Sequence, residues 1–157
     1  MSNRIDIANN KTLKLTNVLI RKIEFGKEEN IQVVVEQMIN FLKARGAMPI
    51  GPLIQKTSYS IREDGELDIE IRLMQQANTF IHKTEVPFEM EPVIRVQNCM
   101  YAHYVGPEDM LKMAYDKINI AAFEEEIRLE QSNYTIFVNQ QDDIMTADVF
   151  VEKKSDE

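Results

Sequence analysis

Apolar and polar residues follow two different periods along the first part of the chain. Residues Leu15–Phe25 are rich in Val, Ile and Leu, a composition typical of a strand. Beyond Gly26, apolar side chains recur with the i, i+3, i+4, i+7 spacing of one buried helix face. They are Ile31, Val34, Val35, Met38, Ile39 and Leu42. Glu28 and Glu29 suit the positive end of this predicted helix, and Gly46 suits its end.

Two more strands are predicted after this helix. Gly51 and Pro52 mark a turn into a strand over Leu53–Ile61, and residues 63–65 (Glu-Asp-Gly) are typical of a hairpin turn. Apolar and polar residues alternate through Leu67–Leu73, which predicts a strand with one face on the core. The first part of the chain is therefore a β-α-β-β unit.

The second part of the chain repeats this order. Residues 75–92 contain two prolines and scattered apolar residues, which predicts a crossing loop, and Val93–Tyr104 then reads as a strand. Gly106 breaks the strand, and Pro107 suits the first position of a helix. That helix has Met110, Ala114 and Ile118 on one face. The last two predicted strands are Tyr134–Val138 and Thr146–Val151, joined by a turn over Asn139–Asp143.

The two helix starts match in pattern, because Phe25-Gly26-Lys27-Glu28-Glu29 resembles Val105-Gly106-Pro107-Glu108-Asp109. A single β-α-β-β unit cannot bury both its helix and its sheet edge, whereas two units can do so together. The sequence therefore predicts one α+β domain over residues 1–157. Its two pseudo-symmetric β-α-β-β halves, at about 15–74 and 93–152, form one antiparallel sheet with two helices on one face.

Composition narrows the function classes. The chain has 157 residues, enough for one core, and a formal net charge of −8 that disfavours direct binding to nucleic acid. The single cysteine, Cys99, excludes an internal disulfide and a cysteine-based zinc site, and His82 and His103 are too far apart to suggest a metal site. No cofactor motif is found. Because Met1–Asn10 lacks an apolar signal core and no run could span a bilayer, we expect a cytoplasmic protein.

Three local motifs resemble the GyrI-like effector-binding superfamily, which includes ligand-sensing domains of multidrug-responsive transcription regulators and gyrase-inhibitory-type proteins. They are ARGAMPIGPLIQKTSY at residues 44–59, YAHYVGPEDMLKMAYDKI at residues 101–118 and NYTIFVNQQDDIMTADVFVEKK at residues 133–154. The resemblance implies a stand-alone member that binds a small organic ligand in a cleft between the two halves. The family often places a glutamate on the penultimate strand to hold cationic, aromatic ligands, whereas this chain has Thr135 there.

Strand alternation and the resemblance together select the candidate ligand-binding residues. They are Tyr59, Glu70, Tyr101, His103, Thr135, Phe137 and Phe150. The aromatic members would form walls for a ligand, and Glu70 would be its charge partner. A simpler interpretation is that Glu70 and Arg72 form a solvated face and that the aromatic rings fill the core.

These residues favour an effector-binding module, such as a sensor or a sequestering protein, over an enzyme. One alternative is a hydrolase of the same superfamily, in which Glu70 or Glu24 beside Tyr101 acts as acid or base. Another is an accessory domain that binds a protein partner or forms a homodimer. No catalytic residue is predicted for the favoured function.

Overall fold

The computed structural model describes residues 4–23 and 30–155. Within these residues the chain forms six strands and two α-helices. They are β1 (Arg4–Ile23), α1 (Ile31–Ala44), β2 (Pro49–Ile61), β3 (Leu67–Ala77), β4 (Phe88–Pro107), α2 (Lys112–Glu124), β5 (Ser132–Gln141) and β6 (Ile144–Glu152). The strand pairs β1–β3, β2–β3, β4–β6 and β5–β6 are all antiparallel, so the predicted α+β class with antiparallel pairing is confirmed.

The chain divides into two compact units. Unit 1 comprises Met1–Leu13 and Val96–Glu157, and unit 2 comprises Lys14–Arg95. In unit 2, β3 pairs with β1 on one side and with β2 on the other. In unit 1, β6 pairs with β4 and with β5. Each unit thus has the last strand of its β-α-β-β order in the middle. The single sheet with both helices on one face stays a prediction.

Helix α1 covers the core of unit 2. Asn30 caps its start, and its side-chain oxygen accepts a hydrogen bond of 2.9 Å from the backbone N–H of Gln32. Of the predicted apolar face, three residues are buried and pack against the sheet. They are Val34, Met38 and Leu42, and their neighbours include Leu19 and Leu73. Ile31 was predicted on this face but is exposed, because it is the first residue of the helix.

Helix α2 covers the core of unit 1. On β6 every second residue is buried, which is the period expected of a strand with one face on a core. Ala114, Ile118 and Ala122 of α2 are buried, and the small side chains of the two alanines allow a close approach to the sheet. The prediction that Met110 shares this buried face is wrong, because a 3-10 turn over Glu108–Met110 precedes the helix and leaves Met110 exposed.

Several strands are longer than their apolar runs predict. β1 begins at Arg4 and β4 at Phe88, so both include polar residues at their starts. Gly51 lies inside β2, where the register with β3 shifts between Ile50 and Ile54, and its φ of +76° suits glycine. The predicted turn is therefore a β-bulge. The buried amide of Gln75 spans it, donating 3.2 Å hydrogen bonds to the carbonyls of Ile50 and Gly51.

Both predicted hairpin turns are present. Gly65 has a φ of +85°, and its N–H donates to the Arg62 carbonyl at 2.9 Å. Asp142 lies between β5 and β6 with a φ of 56°. Pro107 remains extended, with ψ of 144°, and ends β4 instead of opening α2. The predicted helix start at Gly26, Glu28 and Glu29 lies outside the described residues.

Cys99 lies on β4 and is fully buried, in agreement with its interpretation as a core residue. Burial, followed by the charge of Glu152, raises the pKa of its thiol to about 11. No helix formed by the described residues is long and apolar enough to cross a membrane.

Candidate functional site

Two rows of side chains cross the face of the unit 1 sheet that lies opposite α2. Directly paired residues of antiparallel strands point to the same face. The first row contains Tyr101, Phe150 and Tyr134, and the second contains His103, Asp148 and Ile136. Their neighbours along β4, such as Ala102 and Tyr104, belong to the core that α2 covers. The two rows therefore face away from the helix.

Asp148 is the polar centre of these rows. The Tyr101 hydroxyl donates to Asp148 Oδ1 at 2.6 Å, and His103 Nδ1 lies 2.6 Å from the same oxygen. Because an ionised carboxylate only accepts hydrogen bonds, His103 Nδ1 is the donor in this contact, and Nε2 is left as an acceptor in the uncharged form of the ring. The Asp148 side chain is 23% exposed. Hydrogen bonds to a charged group in such a half-buried place are stronger than those between neutral groups.

The ring of Tyr101 also forms an apolar wall with Phe150. The two ring centroids are 4.9 Å apart, with planes inclined at 50°. Burial first, and then the hydrogen bond to Asp148, raise the pKa of Tyr101. Its hydroxyl therefore stays protonated at neutral pH and acts as a donor. An apolar wall beside a few fixed polar groups is the usual composition of a small-molecule site.

The sheet of unit 2 also has two rows on its face opposite α1. The first contains Ile20, Met74 and Ile54, and the second contains Lys22, Arg72 and Lys56. Arg72 Nε donates to Glu70 Oε1 at 2.6 Å, and Lys22 Nζ lies 3.5 Å from Glu70 Oε2. The hydrogen bond from Arg72 is the main cause of the lowered pKa of Glu70. Glu70 is therefore already occupied by cations of its own unit.

Thr135 and Phe137 lie on the other face of the unit 1 sheet. Thr135 pairs with Val149, is buried, and shares a hydrogen bond with the Tyr115 hydroxyl of α2. Phe137 packs against the same core cluster. Tyr59 lies in unit 2 beside Ile69 in the register, on the face opposite Glu70, and is exposed.

The structure therefore brings together three of the seven candidates, Tyr101, His103 and Phe150, and adds Asp148 to them. Sequence analysis missed Asp148. A signal was present, because Asp148 is the one acidic residue between the alternating apolar positions of Met145–Val151. A carboxylate in such a strand needs partners, and the cross-strand neighbours supply them.

Two of the surface cavities in unit 1 lie away from these rows. One, of about 330 Å³, lies beside α2 and is lined by Ile5, Met113, Asp116, Lys117 and Ile120. The other, of about 500 Å³, is lined by Pro107, Glu108, Asp109, Gln140, Asp142 and Asp143. Despite these acidic residues, no group of three or more His, Cys, Asp or Glu in the described ranges could hold a metal ion.

No protein-family model and no curated protein matches the chain. One similar solved structure is a "Putative bacterial transcription regulation protein" from Staphylococcus aureus MU50. It has 10% sequence identity over 93% of this chain and 98% of that chain, with a TM-score of 0.47. At this level of similarity neither fold nor function transfers from that protein, and the resemblance to the GyrI-like superfamily stays a prediction.

Proposed function

We propose that this protein is a small-molecule binding module, of the sensor or sequestering kind, and that the ligand contacts the rows of unit 1. The observation that carries the proposal is the convergence of Tyr101 and His103 on one oxygen of Asp148, beside the Phe150 ring. This set combines an apolar wall with fixed donors and acceptors, which is the composition that orients a small ligand.

The ligand expected at these rows is a planar molecule that carries a hydrogen-bonding group. The Tyr101 and Phe150 rings offer offset or edge-on contact to another ring, and such contacts contribute about 0.5–1.5 kcal/mol beyond area burial. His103 Nε2 offers an acceptor to a ligand donor. Asp148 supports ligands that carry a positive charge, although two hydrogen bonds already stabilise its carboxylate.

The two carboxylic acids suggested for the hydrolase alternative, Glu70 and Glu24, give it less support than the binding function has. The lowered pKa of Glu70 keeps this residue ionised at neutral pH, which makes it a poor proton donor. Glu24 lies outside the described residues. The His103–Asp148 pair resembles the base and orienting group of a general acid–base site. The hydroxyl beside it, that of Tyr101, donates to Asp148 and has a raised pKa, which makes it a poor nucleophile.

Three probes of similar size test the proposal: benzamidine, benzyl alcohol and benzoate, which share a ring and differ in charge. Each is titrated into the full chain while ¹H–¹⁵N correlation spectra are recorded. We expect saturable shifts at β4 and β6 residues around Tyr101 and Phe150, with benzamidine binding most tightly because of Asp148. Phe150→Leu should weaken all three probes, because it removes the ring but keeps an apolar side chain.

Phe123→Leu is the matched control, because Phe123 is a ring of the same unit that lies 84% exposed on α2. It should leave the titrations unchanged. Asp148→Asn should remove the advantage of benzamidine over benzyl alcohol. The proposal fails if no probe gives saturable shifts on this face, or if Phe123→Leu weakens binding as much as Phe150→Leu.

A further inference from the structure

The outer face of α2 has an apolar stripe beside a cavity. Met113 and Ile120 are large apolar side chains, yet they are 38% and 58% exposed. They are seven residues apart, so they lie two turns apart on one side of the helix. Together with Ile5, Asp116 and Lys117 they line a cavity of about 330 Å³ within unit 1. The four lining residues of the helix are named the α2 patch below, and exposed apolar patches of this kind mark interaction sites.

Two opposite charges flank the apolar stripe. Asp116 and Lys117 follow Met113 by three and four residues, so they lie on opposite sides of the stripe. Lys117 Nζ donates to the Ile5 carbonyl at 3.3 Å, which holds the ammonium group at the rim of the cavity. Asp116 has no hydrogen-bond or ion-pair partner in the part of the chain that the structure describes. The α2 patch therefore offers one anion and one cation on either side of an apolar centre.

The placement of these charges matches a second copy of the same helix. When two parallel helices are related by a twofold axis along their length, opposite flanks of the two helices face each other. Asp116 of each copy then faces Lys117 of the other, and the apolar side chains meet at the centre. In an antiparallel pair each flank faces its own counterpart, so Asp116 would face Asp116. The α2 patch is thus complementary to itself in the parallel arrangement.

We propose that the α2 patch is the interface of a homodimer in which the α2 helices of two copies pack side by side and parallel. The second helix covers the cavity, and two Asp116–Lys117 ion pairs flank the contact. Because α2 is about 20 Å long, this contact is smaller than a standard protein–protein interface, and the dimer is reversible. The rows of the proposed function face away from α2, so this proposal goes beyond that function and does not depend on it.

Charge reversal tests the proposal, with the dissociation constant measured by sedimentation equilibrium of the full chain at about 10 μM to 1 mM. We expect a monomer–dimer equilibrium for the wild-type chain. Asp116→Lys and Lys117→Asp should each weaken the dimer roughly tenfold, because both ion pairs become contacts between like charges. The double variant should restore the affinity to within roughly threefold, because opposite charges face each other again. A structural role of either residue within one copy would not give this restoration.

The apolar centre has its own variant and control. Ile120→Gln should weaken the dimer roughly tenfold, because each copy loses an apolar contact. Val138→Gln is the matched control, since Val138 is a 45% exposed apolar residue on β5 of the same unit. It should change the dissociation constant less than twofold. Circular dichroism of each variant verifies that these substitutions of exposed residues leave the fold intact.

A chain that stays monomeric throughout the concentration range would overturn the proposal, and so would a double variant that stays as weak as the single ones. A stronger dimer in Asp116→Asn would mean that like charges face each other, and would replace the parallel pair with an antiparallel one. A monomer whose α2 ¹H–¹⁵N signals shift on titration with hexylammonium would assign the cavity to a small amphipathic cation instead. Because Phe150→Leu should leave the dimer unchanged, failure of this proposal and failure of the proposed function are distinguishable.

Discussion

The two units carry different chemistry on the sheet face that lies opposite their helix. Where unit 1 has the ring pair Tyr101 and Phe150, unit 2 has the aliphatic pair Ile20 and Met74. In the next row unit 1 has His103, Asp148 and Ile136, whereas unit 2 has Lys22, Arg72 and Lys56. The strand order and the helix-covered core are alike. The comparison teaches that the same β-α-β-β order accepts different residues on the sheet face opposite the helix.

The carboxylates of the two faces show this difference most directly. Asp148 accepts hydrogen bonds from a phenol and an imidazole, and contributes to the raised pKa of Tyr101. Glu70 is held by Arg72 and Lys22, and its own pKa is lowered. In unit 1 the carboxylate of Asp148 helps to raise the pKa of a neighbouring side chain. In unit 2 the neighbouring cations lower the pKa of the carboxylate itself.

The largest expected effect on stability concerns the helix-covered core that each unit has. Leu42→Ala in α1 and Ile118→Ala in α2 each remove a fully buried side chain that packs on a central strand. We expect each to lower the free energy of unfolding by about 2–5 kcal/mol, from lost transfer energy and the cavity that remains. Urea denaturation measures both values. A loss in only one variant would show that the two cores are not equivalent.

The next effect tests the unit 1 carboxylate. Asp148→Asn should lower the free energy of unfolding by about 1–3 kcal/mol, because Tyr101 and His103 lose their charged acceptor in a half-buried place. It should also lower the pKa of Tyr101, which NMR titration of the ring signals reports. Asp143→Asn, at the exposed hairpin turn, is the control and should change stability by less than about 0.5 kcal/mol.

A smaller effect appears at alkaline pH. The folded pKa of Tyr101 lies above its ordinary value of 10.0, so its contribution to stability is complete below pH 10 and is lost as pH rises further. Wild-type protein should therefore lose stability above pH 10 more steeply than Tyr101→Phe. Thermal unfolding at pH 8 to 11.5 checks this. Parallel curves for the two proteins would contradict the raised pKa.

The smallest effect tests the unit 2 carboxylate. Glu70→Gln should cost about 0–1 kcal/mol at neutral pH, because its ion pairs are partly exposed. The folded pKa of Glu70 lies below its ordinary value of 4.5, so its contribution is present above that pH and is lost on acidification below it. The difference between wild type and Glu70→Gln should vanish in acid. A difference that grows below pH 4 would contradict the ion-pair assignment.

Local patterns predicted the elements wherever one face is buried. The apolar spacing over Val34–Leu42 identified α1, and alternation identified β3 and β6. The starts of β1 and β4 were missed because residues such as Arg4 and Glu89 are polar and exposed, so they lack the apolar pattern of a half-buried strand. Gly51 was predicted as a turn because glycine signals a turn and a bulge alike.

The candidate site was predicted less completely. Alternation within one strand shows which residues share a face, and it correctly grouped Tyr101 with His103 and Thr135 with Phe137. It does not show which face carries the helix. The pairing of Thr135 with Val149 and its hydrogen bond with Tyr115 place that strand face under α2. Cross-strand register is a long-range property, and for this reason Asp148 was not joined to Tyr101 and His103 beforehand.

The burial of Cys99 has a practical consequence. Because burial raises the pKa of the thiol to about 11, the neutral thiol predominates at pH 7, and the burial of Cys99 also denies reagents access to it. Alkylation must then wait for β4 to open. Since the chain has one cysteine, the rate of its alkylation, measured by mass spectrometry, reports the rate at which β4 opens locally. No engineered reporter is needed.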